Sequence, residues 1–149
     1  MKLNIILNTE CDIEKEFFQN VFDITFEELS NEDIDSALLK NKDLEINFVI
    51  TGDEEVKDLN KKWRDKDSTT DVLSFPYEEA NSGVFGEIFV SLPQCEKQAK
   101  ELEHSLEKEL SILFVHGILH LFAYDHISDD DFLEMNLLEE KIKKRLSHD

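Results

Sequence analysis

Residues 105–123, SLEKELSILFVHGILHLFA, constrain this chain more than any other stretch. From Leu110 onward the segment is apolar nearly all round, and a helix with almost no wet face belongs at the centre of a fold. Ser105 offers an N-cap oxygen. The pattern therefore predicts one buried helix that stops near Ala123 or Tyr124. Yet that helix carries His116 and His120, and His126 follows just after it. A buried polar group without a partner costs about 1–3 kcal/mol. Three imidazoles in one greasy segment need an explanation.

The remaining elements have to surround this helix. Residues 2–8 read as a short strand, and 44–51, LEINFVIT, alternate like a second. DVLSF at 71–75, closed by Pro76, and FGEIFVS at 85–91 read as two more. Spaced apolar positions predict helices over 12–30 and 31–40. Thr51 is expected to cap a helix over 53–63. Pro93 suits the first turn of a helix running to 103. Ser128 and Asp131 resemble the start of a last helix, with Met135, Leu138, Ile142 and Leu146 as its apolar stripe. Glu139 with Lys143, and Glu140 with Lys144, are expected to pair on its wet side. The fold class expected is α+β, with about four strands and five or six helices around a small mixed sheet. With only 4 Gly and 2 Pro and no repeat or linker, one domain is expected over 1–149.

His116 and His120 lie four apart, so on a helix they share a face with Cβ atoms about 6 Å apart. A turn after Ala123 would let His126 swing back. Separately satisfied core histidines are the alternative. A single metal ion explains all three at once: three nitrogens suit zinc and leave a fourth position for water, as in catalytic sites. Imidazoles also accept nickel, copper and iron. The His-x3-His-x5-His spacing equals that of metzincin peptidases, which makes the helix zincin-like. Their general base follows the first His, and here that residue is Gly117. The ligand spacing is kept and the peptidase base is missing.

A net charge of −19 argues against a nucleic-acid partner, but the charge is uneven. Residues 1–55 hold 15 acids and 4 bases, whereas KDLNKKWRDK at 57–66 holds 5 bases and 2 acids. An acidic body with a local basic stretch can hold RNA at one place. KIKKR at 141–145 reads more simply as a solvated helix face. Cys11 and Cys95 are isolated and read as small hydrophobes without a disulfide. No run of about 18 apolar residues exists, so no membrane span is expected. The N-terminal patch is too short for a signal peptide, so a cytoplasmic location is expected.

HGILHLFAYDH resembles the H-G-x-L-H-L-x-G-Y-D-H signature of the YbeY-type endoribonucleases, the rRNA maturation factors. LNKKWRDKDSTTDVLSFP at 59–76 is similar to a second block of that family, and GEIFVS at 86–91 to a third. HSLEKELSILFVHG at 104–117 matches the approach to the metal helix. The resemblance implies zinc bound by His116, His120 and His126. It implies a metal-dependent, single-strand-specific endoribonuclease acting in 16S rRNA 3′-end maturation and ribosome quality control. The small ribosomal subunit, one of its proteins and an assembly GTPase are the implied partners. Two departures stand out: Ala123 where the family has Gly, and Lys108 where it has Arg.

Arg64 matches the family's motif arginine and is the candidate for stabilising charge at the phosphodiester; the alternative is a surface ion pair with Asp65 or Asp67. Asp125 adjoins a ligand and is the candidate for orienting an imidazole, or else for capping the turn. Asp71 is expected to hold its loop, and His104 to cap or pack. Trp63 is expected either in the core, as the chain's single Trp, or stacked on a base. Two rival functions remain: a zinc hydrolase of peptides or small molecules, and a non-catalytic ribosome-assembly factor.

Overall fold

The computed structural model describes residues 1–77, 83–122 and 129–146. Strand β1 (Lys2–Leu7) leads to helix α1 (Lys15–Leu29), a single turn α2 (Ser36–Leu39) and strand β2 (Glu45–Thr51). Helix α3 (Asp53–Arg64), strands β3 (Val72–Pro76) and β4 (Val84–Ser91), and helices α4 (Leu92–Glu101), α5 (Leu106–Leu121) and α6 (Asp129–Leu146) follow. The four strands form one mixed sheet in the order β1-β2-β4-β3, with only the edge strand β3 antiparallel to its neighbour. The expected α+β class and element count hold among the described residues.

Alternation sorts the sheet's two faces. Ile46, Phe48 and Ile50 of β2 and Ile88 and Val90 of β4 are fully buried in one cluster with α1 and α5. Phe48 stacks on Phe114 of α5 at 4.1 Å between ring centroids, and Phe18 of α1 meets Phe48 edge-on at 5.3 Å. Such pairs each add about 0.5–1.5 kcal/mol beyond the area they bury. On the opposite face polar side chains join the strands. Asn4 Nδ2 donates to Asn47 Oδ1 at 3.1 Å, Asn47 Nδ2 donates to Glu87 Oε2 at 3.1 Å, and the Tyr77 hydroxyl donates to Glu87 Oε1. That last bond holds the phenol proton, so the Tyr77 pKa is pushed up to about 12.

The segment expected as a helix over 31–40 is mostly turn, with helix only at Ser36–Leu39. Its Ser, Asn and Asp side chains compete with helix formation by bonding to nearby backbone. Asp35 instead starts the short helix as its N-cap, accepting from Ala37 N at 3.0 Å. Thr51 does not cap α3. It stays in β2, buried, and Gly52 is the N-cap, with Asp53, Glu54 and Glu55 placed favourably at the helix's positive end. Ser91 and Ser105 cap α4 and α5 through their hydroxyls. Ser128 lies outside the described residues.

Helix α5 is the centre of the fold, as its sequence demands. Leu110, Phe114, Ile118 and Leu119 have no exposure at all. The apolar stripe of α6 packs as expected, with Met135, Leu138 and Ile142 buried. Cys95 is fully buried and Cys11 partly so, both as free thiols; burial first, then Glu109, pushes the Cys95 thiol up to about 12. No described helix is long and apolar enough to cross a membrane.

Candidate metal centre

His116 and His120 sit in the last two turns of α5 and face the same way. Their Nε2 atoms stand 2.9 Å apart and their ring centroids 4.4 Å apart, at 70°. Two ligands of one tetrahedral zinc, each about 2.0–2.1 Å from the metal, stand roughly 3.3 Å apart. The pair is therefore already converged on a common point, and a cation needs to spread it only slightly.

The other side of His116 is held from α6. Its Nδ1 lies 3.0 Å from Glu139 Oε1. An ionised carboxylate only accepts, so Nδ1 carries the proton and the His116 Nε2 lone pair faces inward. A carboxylate behind an imidazole is the usual way a protein selects the tautomer and orientation of a metal ligand. Glu139 is half-buried, with a side chain 13% exposed.

The expected i,i+4 pairing with Lys143 puts Glu139 on the wet side, and the structure corrects that expectation. Lys143 instead lies 3.7 Å from Glu140. The signal was present, since Glu139 is four residues after Met135 and three before Ile142, within the buried stripe.

Gly117 explains why this helix cannot carry the peptidase glutamate. A Cβ there would stand 2.7 Å from Ile88 Cγ2, because the helix lies directly on β4. Gly86 makes the matching approach from the strand: its Cβ would meet Leu121 Cδ2 at 2.6 Å. Position 117 thus faces the sheet, away from the histidines. We expect Gly117→Val to overpack this contact by about 2–3 kcal/mol and to lower Tm by about 5–10 °C in a thermal melt. An unchanged Tm would show that β4 yields freely.

Two further contacts fix the helix end beside His120. Ser74 of β3 donates its hydroxyl to the Gly117 carbonyl at 3.2 Å. Opposite the step from Glu45 to Ile46, strand β4 takes an extra residue, a local bulge. Phe85, at that bulge, stacks on Phe122 at 4.8 Å. The edge strand and the bulge thus set where α5 ends.

The structure brings two of the expected ligands together. His126 and Asp125 lie outside the described residues. Among the described residues no group of three His, Cys, Asp or Glu side chains is arranged to hold a metal. Arg64 is exposed at the end of α3, which packs on β3, β4 and α4. Among the described residues it pairs with no carboxylate; Asp67 lies near Lys57 instead, at 3.9 Å. Asp71 does hold its loop, accepting from Val72 N at 2.9 Å and from Gln98 Nε2 at 3.2 Å. His104 lies 2.7 Å from the buried Glu109.

A helix with paired imidazoles, laid across a mixed sheet and steadied by a carboxylate, defines a class of α+β protein with a candidate metal centre on its central helix. Comparison with known proteins narrows that class. Residues 6–147 match the model of the family described as Endoribonuclease YbeY. An Endoribonuclease YbeY of Nautilia profundicola is 46% identical over 110 residues, covering 74% of this chain and 76% of its own. The one from Sulfurihydrogenibium sp. is 36% identical, covering 98% and 94%. The solution structure of TM1509 from Thermotoga maritima superposes with a TM-score of 0.60 at 30% identity, covering 96% of this chain and 90% of that one. The chain belongs to the Endoribonuclease YbeY family, whose members are hydrolases acting on RNA.

Proposed function

We propose that the whole chain, 1–149, is one domain that cuts single-stranded RNA in the maturation of 16S rRNA at its 3′ end and in ribosome quality control. It works in the cytoplasm, with the small ribosomal subunit and an assembly GTPase as partners. The reading is carried by the 2.9 Å approach of the His116 and His120 Nε2 atoms. His126 would complete a three-nitrogen set for one divalent cation, zinc first and nickel next in order of expectation. When bound, such an ion acts as a Lewis acid on phosphoryl oxygen and lowers the pKa of water to about 7.

The chain's own side chains supply the rest. Glu139 holds the Nδ1 proton of His116 and so keeps its Nε2 lone pair inward. Arg64, a permanent cation unpaired with any described carboxylate, is available to a non-bridging phosphate oxygen, where charge accumulates in the transition state. Asp125 is the candidate to orient His126. The closed position at Gly117 speaks against the peptide-hydrolase alternative, because the base that such chemistry requires has no room there.

The test is a substrate panel for the zinc-loaded protein. We expect cleavage of unstructured RNA, little cleavage of the same sequence in a duplex, and none of peptides. Removing the metal with a chelator should stop the cut, and adding zinc back should restore it. Turnover of peptides without RNA cleavage would overturn the reading.

A further inference from the structure

We propose that the C-terminal end of α3, centred on Trp63, is a platform on which an unpaired base of single-stranded RNA stacks. The proposal rests on the ribonuclease reading and adds where the strand is held.

Trp63 is 63% exposed, although an indole is among the most favourable side chains to bury. Every residue from Lys61 to Ser68 is exposed as well. Lys61, Lys62, Arg64 and Lys66 flank Trp63 in the chain, all exposed, and among the described residues none of the four sits in an ion pair. The Lys62 ammonium is 5.1 Å from the centre of the Trp63 ring. In a chain of net charge −19, residues 57–66 carry +3. A polyanion is repelled by most of this surface and drawn to this end. Interleaved cations and an open aromatic face are what an unpaired nucleotide requires: phosphate contacts from one, base stacking from the other.

The end is also built to be stiff. Asp65 takes the left-handed conformation at φ 55°, and Lys66 N donates back to Asn60 O at 3.2 Å, which closes the helix. The buried Asn60 side chain donates to Ser68 O at 2.9 Å and ties the following loop down. A stiff platform loses little entropy on binding. The carbonyl end of a helix repels phosphate, so phosphate contact here must come from the lysine and arginine side chains. A duplex keeps its bases stacked on one another and offers none to Trp63.

Trp63 is the chain's single Trp, so its emission reports directly on the site. The probe is an uncleavable 2′-O-methyl oligoribonucleotide of about eight nucleotides, a typical single-strand site size, titrated into the zinc-loaded full chain. We expect emission to fall in step with binding measured by the anisotropy of an end label. The same sequence as a duplex should leave emission unchanged. Trp63→Ala should weaken binding about tenfold or more, and Trp63→Phe should retain most of it. Lys61→Glu with Lys62→Glu should flatten the dependence of log K on log salt by about 0.7 for each phosphate no longer neutralised.

Unchanged emission at saturation, or equal affinity of the Trp63→Ala variant, overturns the platform. So does a dimer of this chain that Trp63→Ala dissolves while oligonucleotide affinity stays put. If the wild-type protein binds with quenching yet cuts no RNA, the platform stands and the ribonuclease reading falls. If it cuts while Trp63→Ala binds and cuts equally well, the reverse holds.

Discussion

His116→Ala is expected to reduce cleavage of single-stranded RNA by about a thousandfold or more and to remove the bound cation. His116 is one of two imidazoles whose Nε2 atoms already meet. It is also the one whose orientation is set from another helix. The substitution removes one of the two converging nitrogens and takes away the proton donor that Glu139 holds. A metal ion contributes several kcal/mol of transition-state stabilisation, and each 1.36 kcal/mol is tenfold in rate. The fold should survive, because the side chain is 28% exposed and lies outside the hydrophobic core cluster. The measurements are initial rates on an unstructured RNA, metal content of protein purified without a histidine tag, and a thermal melt of the same sample. His120→Ala should behave alike. Cleavage at the wild-type rate by a metal-free His116→Ala protein would sink the metal centre.

Glu139→Ala is expected to weaken metal affinity by about 10- to 100-fold, the usual cost of removing a carboxylate behind a ligating imidazole. In that variant the Glu139 contact that fixes the His116 ring from α6 is gone, and both of its tautomers become accessible. Glu139→Gln keeps an oxygen that can accept the Nδ1 proton, so it should recover part of the loss. At saturating metal both variants should cut RNA close to the wild-type rate, since Glu139 acts through the ligand. Competition against a chromophoric chelator reads the affinity, and rate against metal concentration separates the two effects. A residue that merely packed α6 on α5 would lower Tm and leave metal affinity where it was. That outcome would remove Glu139 from the site.

Much of the site is legible in the sequence, and for local reasons. Two histidines four apart on a helix must share a face, whatever surrounds them. An all-round apolar segment must be central. Glu139 escapes such reasoning because helical spacing reports a face and not what that face meets. Its pairing with His116 spans 23 residues and exists only because α6 packs beside α5. Trp63 shows the opposite failure: composition favours burying an indole, but α3 turns that position away from β3, β4 and α4.

The sequence by itself determined the buried helix, the convergence of His116 with His120, the strand segments and the basic stretch in an acidic chain. All of these follow from local periodicity and charge. Only the tertiary structure decided that Glu139 stands behind His116, that position 117 is closed by Ile88, and that Trp63 faces solvent. Those depend on which surfaces meet when the helices close over the sheet, and residues far apart in the chain acquire neighbours only then.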